Sequence, residues 1–421
     1  MSRGRSEFSN VKAVKCGELI DGTGREPIRH AIVVVRDSEI VDVGKADEVR
    51  IPTGAEVIDA SEKTVMPGLM DMHVHLCYWG KERDWTRYEL DTPPTLMALK
   101  AARAAKETLE AGFTTVRDAG AYNDCVISTR KAVELGIIPG PRILTAGVWI
   151  TQTGGPCDTD WPSHLPSQVF HNATADGVEG VRKAVRERFR AGSDFIKIFT
   201  TGDVYSRGTG PDVRRFTIEE IRTIVDEAHA VRRKVAAHAE GVEGIKNAAR
   251  AGVDTIEHGI YLDDEACQIM KQNNIILVPT LVVLRNIVAE GIEAGMLPEA
   301  VRKGKEAGDA HFAGFRRAHE AGVKVATGSD AFMGICRHGE NARELEMMVE
   351  AGLTPMEAII ASTKTGAEAL GLEDQIGTLE VGKTADMVIV DGNPLRDITI
   401  LQDQKKIGVV MKGGHLAVIR D

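Results

Sequence analysis

Apolar and polar positions fall into two rhythms along this chain. Residues 11–60 carry short runs in which they alternate, such as AIVVVRDSEIVDVG, separated by turn-forming stretches such as DGTGREP. A period of two puts one face of a strand in a core and the other in water, so these runs predict small antiparallel strands. IGTLEVGKTADMVIVDGNP and KIGVVMKGGHLAVI, near the other end, have the same character. Two strand-rich ends predict one small β-sandwich outside a central domain.

Between them the rhythm changes. Strand candidates lie at 65–76, 113–120, 141–147, 194–202, 234–241, 254–259, 275–281 and 324–331. The intervals hold helical patterns, among them TLMALKAARAAKETLEAG, GVRKAVRERFRAG, TIEEIRTIVDEAHAVRR and GIKNAARAG. Strands alternating with helices predict parallel βα units, and eight such units close a barrel. The expected fold class is α/β: a (β/α)8 TIM-like barrel at 63–375, with a β-sandwich built from 1–62 and 376–421.

Composition narrows the function classes. The 421 residues, 43% hydrophobic and 27% charged, are ample for a core, which excludes disorder as the main state. A net charge of −10 argues against nonspecific binding to nucleic acid or anionic membrane. No run approaches the ~18 apolar residues of a membrane span. MSRGRSEFSNVK lacks the apolar core of a secretory signal. The cysteines are scattered without a CxxC pair, as expected of free thiols in a reducing compartment. The expectation is a cytoplasmic protein with a small-molecule partner.

The chemistry is expected at the C-terminal ends of the barrel strands, which face the pocket in such folds. His73 and His75 stand two apart on one strand, hence on one face, and can reach one metal ion. Lys197, His238, His258 and Asp330 occupy the ends of strands four, five, six and eight. Each has an ordinary alternative: a satisfied core histidine, a snorkelling lysine, a helix N-cap at Asp330. Those alternatives would have to hold independently at five strand ends. A shared metal site explains them together.

MPGLMDMHVHL, the strand-four lysine, AAHA, IEHG and TGSDA resemble the amidohydrolase superfamily of metal-dependent hydrolases. DGTG and GTLEVGKTADMVIVDGNPL are similar to the sandwich that accompanies its barrel. RDAG, GPRIL, TQTGG, AGVDTIEHG and VPTL are similar to the branch holding imidazolonepropionase and the prolidase-like (Xaa-Pro and Xaa-Arg) dipeptidases. The resemblance implies two divalent ions, zinc by default and manganese or cobalt as alternatives. His73, His75 and Asp330 would hold one ion, His238 and His258 the other. Lys197, carboxylated by CO2, would bridge them. It implies hydrolysis of a carbonyl–nitrogen bond by a water activated between the ions, with Asp330 passing its proton to the leaving nitrogen. It also implies a homo-oligomer.

Two positions depart from the dipeptidase pattern. Thr153-Gly154-Gly155-Pro156 stands where TGGH is usual, and His238-Ala239-Glu240 where HAY or HAH is usual. Glu240 would repel a substrate carboxylate, unless it pairs with an arginine and turns away. The departures favour an amide, carbamate or urea without a free carboxylate, or a substrate with a basic group. Tyr205 and Arg207 follow Lys197 and are candidates for substrate binding, Arg207 as a carboxylate clamp. His164 lies with Cys157, Trp161 and His171 in a long loop, and Trp79 and Trp85 follow the HxH pair; His164 and Trp79 are the further substrate-binding candidates. The leading expectation is a two-metal hydrolase of small amides, with dipeptides or N-acyl amino acids as one branch. A urea or carbamate hydrolase is the alternative. A cyclic-amidine hydrolase or deaminase, or a non-catalytic binding protein, is remoter.

Overall fold

The computed structural model describes residues 11–80, 85–159, 164, 173–332 and 334–420. Its centre is a ring of parallel strands: Leu69–Val74, Phe113–Asp118, Arg142–Thr145, Ile196–Phe199, Val235–Ala239, Thr255–His258 and Ile276–Val278. The eighth segment, expected at 324–331, is held by single bridges, Leu277 to Val325 and Val74 to Ala331. Backbone bonds complete the closure, Met72 N–H to Thr327 O at 2.8 Å and Asp330 N–H to His73 O at 2.7 Å. Close approach is the reason for a glycine here. A Cβ on Gly328 would lie 2.3 Å from a Val278 methyl and 2.8 Å from the His73 Cβ.

The helical patterns become Pro94–Glu110, Gly177–Ala191, Ile218–Ala230 and Val242–Ala251. Gly192 and Gly252 end two of them in the left-handed region, where only glycine is unstrained. Acidic residues stabilise the helix Ile218–Ala230. Glu220 closes a capping box with Thr217, and Glu227 pairs with Arg182 and Arg186. Two further helices, Leu281–Glu290 and Pro298–Ala321, lie between the last two barrel segments and roof one side of the pocket.

The terminal segments share one sheet. Among the described residues it has seven strands in the order His415–Ile419, Ile407–Lys412, Met387–Val390, Glu56–Pro67, Val11–Leu19, Ile28–Arg36, Glu39–Lys45. The last strand returns to the segment before Met387, with Ile40 N–H bonded to Lys383 O at 2.8 Å. The expected sandwich is thus a single sheet that curls over an apolar inner face including Val14, Leu19, Val33, Val65, Met387 and Ile389. Strand twist supplies the curl, and the meeting edges cover each other. Glu56–Pro67 crosses the expected junction at 62/63 and stays in this sheet, so the first predicted barrel strand divides at Gly68. A Cβ on Gly68 would meet the Thr114 hydroxyl at 2.2 Å. No helix of the described residues is long and apolar enough to cross a membrane, and all six cysteines are free thiols.

Sheet and barrel are tied by Asp386, which is buried. Its carboxylate accepts from Arg142 at 2.7 Å and from the Gly413 N–H at 2.6 Å. Asp386→Ala leaves both donors without that partner, so it is expected to lower stability by about 1–3 kcal/mol. A thermal or urea midpoint indistinguishable from wild type would refute this tie.

Candidate metal centre

The register of the parallel strands brings the predicted polar residues to one end of the barrel. Phe199 pairs with His238, and Ala239 with His258. The His73 and His258 rings are 5.1 Å apart between centroids, His238 and His258 4.6 Å, His73 and His75 5.3 Å. Asp330 Oδ1 lies 3.3 Å from His75 Nε2 and 3.6 Å from His73 Nε2. Lys197 Nζ is 3.4 Å from His73 Nε2. One possible ligand atom from each of His73, His258 and Asp330 lies within 4.8 Å of the others.

Each imidazole has one nitrogen engaged away from the cluster. His73 Nδ1 meets Glu257 Oε2 at 2.7 Å, and His75 Nδ1 meets Gly120 O at 2.7 Å. His258 Nδ1 meets the Thr280 hydroxyl at 2.7 Å, and His238 Nε2 meets Gly202 O at 3.1 Å. Carboxylate and carbonyl oxygens accept only, so on His73, His75 and His238 those nitrogens carry the hydrogen and the opposite ones keep a lone pair, whereas the Thr280 hydroxyl can donate to or accept from His258. Burial first, then the Lys197 charge, hold His73 down at about 4 and His238 at about 3. Neutral imidazole is the form that binds a metal. Burial pushes Lys197 down to about 8, so about a tenth of it is free amine at pH 7. Burial would raise the Asp330 carboxyl, but His73 and His75 outweigh it and hold it at about 2. Four imidazoles, a carboxylate and a buried amine are a donor set that fits divalent metal ions.

His258, Thr280 and Asp330 adopt φ of 71°, 53° and 50°. Left-handed backbone at a non-glycine residue costs on the order of 1–3 kcal/mol, and the surrounding bonds hold it in place. Sequence reasoning missed most of these supports. Arg117, 2% exposed, bonds Glu257 at 2.7 Å, Thr255 at 3.0 Å and Met72 O at 2.7 Å. Burial alone would raise the Glu257 carboxyl, but Arg117 and then His73 hold it well below the usual carboxylate range. Asp71 accepts from the Ser329 hydroxyl, the Ser329 N–H and Asn341, tying the first strand to the eighth. Glu344 accepts from the N–H groups of Leu281 and Val282, both at 2.8 Å, and so caps the helix behind Thr280. The available signal was a single arginine in FTTVRDAG and a single glutamate in DTIEHG, opposite charges inside two predicted barrel strands.

The cluster forms the floor of a cavity. Tyr205, Glu240 and Cys157 line it, together with Trp149, Phe199 and Phe332, which the sequence did not single out. Glu240 neither pairs with an arginine nor turns away. It is buried against the cavity, and its Oε2 has no hydrogen-bond partner among the described residues. Burial, then the neighbouring Asp203, push its carboxyl well above the usual range. Three candidates fall elsewhere. The Trp79 indole donates to Glu107 at 2.7 Å and faces a different surface cleft. His164 and Arg207 are exposed and do not line the cavity. Trp161 and His171 lie outside the described residues, as does the side chain of Trp85.

Residues 64–417 match the amidohydrolase family. The chain is 34% identical to the ochratoxinase of Aspergillus niger, across 98% of this chain and 87% of that protein. It superposes on the crystal structure of a Xaa-Pro dipeptidase with bound methionine in its active site with a TM-score of 0.86 at 36% identity, covering 96% of this chain and 99% of the other. A prolidase complexed with N-methylphosphonate-L-proline gives 0.89 at 34% identity, covering 98% and 100%.

Glu257→Gln tests the support beneath His73. It removes the charge opposite Arg117, and losing one partner of a buried pair costs about 3–5 kcal/mol. Metal affinity is expected to fall about 10–100-fold, the usual effect of losing such a support. Chelator competition and thermal melting read the two effects, and wild-type values in both would show that the network is not needed.

Proposed function

The chain belongs to the amidohydrolase family and is a hydrolase of carbon–nitrogen bonds, and from that premise we propose a two-metal hydrolase of amide-type bonds in small molecules. The observation that carries this reading is the convergence of four imidazoles on Asp330 and Lys197, each imidazole with one nitrogen already committed outward. His73, His75 and Asp330 would hold one ion, and His238 and His258 the other, with zinc the default for such ligands and manganese or cobalt as alternatives. Bound there, the ions supply Lewis acidity for the scissile carbonyl and lower the pKa of water.

The chain's own groups carry the rest. Lys197, buried and partly neutral near pH 7, is suited to take up CO2 as a carbamate, whose two oxygens would serve both ions. Asp330 is ionised at neutral pH and sits beside both histidines of the HxH pair. In this reading it accepts the proton of the attacking water and returns it to the leaving nitrogen. The walls Trp149, Phe199, Phe332, Ile260 and Leu284 exclude water and suit an apolar substrate body.

A urea or carbamate is the second reading, and one observation favours it over a dipeptide. Among the described cavity-lining residues the one lysine or arginine is Lys197, which the metal reading employs, while Glu240 presents a carboxyl. A free substrate carboxylate finds no dedicated clamp there. Amides and ureas without a carboxylate are therefore expected to turn over faster than matched dipeptides, and a substrate panel reads that order directly.

Two variants test the centre. Protein expressed with bicarbonate should carry about two metal ions per chain by elemental analysis, falling to one or fewer in Lys197→Ala; equal content in both would refute the bridge. Asp330→Asn should lose about a hundredfold or more in kcat while retaining most of its metal. Turnover above a few per cent of wild type would eliminate Asp330 as the proton carrier.

A further inference from the structure

One wall of the cavity is a loop. Val204, Tyr205 and Ser206 line the pocket from the stretch between strand Ile196–Phe199 and helix Ile218–Ala230, which has no helix or ladder strand of its own. Val204 packs with Ile260, Leu284 and Ala307, and the Tyr205 ring stands 5.6 Å from that of Phe332. Without a ladder, the shape of such a segment is set by what its backbone groups meet.

Three of those groups meet one buried cation. Lys303, on helix Pro298–Ala321, is 6% exposed and stands behind the wall without lining the cavity. Its ammonium donates to Ser206 O at 2.7 Å, Thr209 O at 2.9 Å and Asp203 O at 3.2 Å. An ammonium has three hydrogens and no acceptor, and here all of them point at carbonyls of one loop. Asp203, Ser206 and Thr209 are themselves buried, so water does not replace this donor. Glu299, with Oε1 3.8 Å from Nζ, and Asp203 are the acidic groups facing it. The Asp203 carboxyl also accepts from the Ser206 N–H and hydroxyl, which closes the turn that Lys303 holds from outside.

Lys303, Ala307 and His311 recur at four-residue spacing and form one stripe of the helix. Lys303 holds the loop and Ala307 packs on Val204, while His311 Nε2 donates to Pro279 O at 2.7 Å and His258 O at 3.1 Å. The support of His238 is separate from this stripe. Gly202 O meets His238 Nε2, and Gly202 is fixed by its own N–H to Val213 O at 2.8 Å and by the neighbouring bridge from Thr201 to Arg214. Loosening residues 203–209 therefore alters the wall and leaves the histidine cluster in place.

We propose that Lys303 is a positioning residue for substrate binding: it pins the loop 203–209 so that Val204 and Tyr205 stay in the cavity wall, and it acts on substrate only through them. The inference rests on the hydrolase reading of this cavity and deepens it, by naming what gives the wall a fixed shape. Affinity for an apolar substrate body then depends on a cation that never touches it. The bond-breaking step, carried by groups on the barrel strands, does not. Its kinetic signature is a raised KM with kcat little changed.

Limited proteolysis of the metal-loaded enzyme reads the loop without requiring turnover. Arg207 and Gly208 are exposed at its tip, and trypsin cuts such a bond once the segment opens. In wild type this bond should not be the first one cut. Lys303→Met should be cut after Arg207 at least fivefold faster, with other cuts within threefold of wild type and metal content unchanged. With 4-nitroacetanilide, or the amide or urea that wild type hydrolyses fastest, its KM should rise at least fivefold and kcat stay within threefold. Should Lys303→Met not fold, Lys303→Gln, which keeps two N–H donors, should be cut at least threefold faster. Cutting below these thresholds, first cutting after Arg207 in wild type, faster cutting with unchanged KM, or loss of metal would overturn the proposal. If wild type hydrolyses no amide or urea, the hydrolytic reading falls, and the cutting alone decides whether Lys303 pins the loop.

Discussion

The bond between His73 and Glu257 is the constraint on which the rest of the site depends. Four imidazoles that are to hold metal ions must each turn a lone pair inward, which a fixed tautomer secures. Glu257 does this for His73, and Arg117 keeps Glu257 ionised inside the barrel. The same Arg117 reaches Met72 O and the Thr255 hydroxyl, so one guanidinium joins three strands around the metal-facing end. Gly120 O and Gly202 O play the corresponding part for His75 and His238, and the Thr280 hydroxyl holds the His258 ring in place. Lone pairs are thereby aimed inward before any ion arrives, which is the preorganisation a tight metal site requires.

The barrel accommodates this cluster by relaxing its regularity where the chemistry sits. Its eighth segment is the least regular, held by isolated bridges and by Asp71 reaching across to Ser329 and Asn341. That departure lets Asp330 take a left-handed conformation while its N–H stays bonded to His73 O. Thr280 and His258 make the same concession at neighbouring strand ends, and Glu344 restores the hydrogen bonds that the turn at Thr280 would otherwise cost the following helix. Strain is thus placed beside the reacting groups and balanced by buried polar contacts.

Above the metal centre the walls are of two kinds. On the side of the third and fourth strands, Trp149 and Phe199 pack edge to face, 5.9 Å apart, with Phe199 against the His238 ring. On the opposite side, two helices bring apolar side chains together with His311 and the buried Glu240. A substrate entering this cavity meets the histidine cluster with Asp330 and Lys197 below, aromatic faces on one flank and apolar side chains on the other. The prolidase and ochratoxinase likenesses fix the chemistry as carbon–nitrogen hydrolysis. The identity of the bond's substituents is a matter for these walls.

The sequence by itself determined the barrel, the order of its helices and the polar residues gathered at one end of its strands. Strand periodicity and the Gly-terminated helices are local signals, and a histidine or aspartate at a strand end in such a fold can face only the pocket. It also showed that Glu240 and Pro156 break the dipeptide-hydrolase pattern. The curled sheet was not legible, because which terminal strands share an edge is settled by pairing across more than 300 residues of chain, as between Thr64 and Val390. Trp79 and Arg207 are near the site in sequence, yet side-chain direction in the loops after strand ends follows no period, and both point elsewhere. The converse holds for Arg117, His311 and Glu344. Each lies far along the chain from what it supports, so only tertiary packing could show that a buried charge or ring was holding a metal ligand, a carbonyl or a helix end in place.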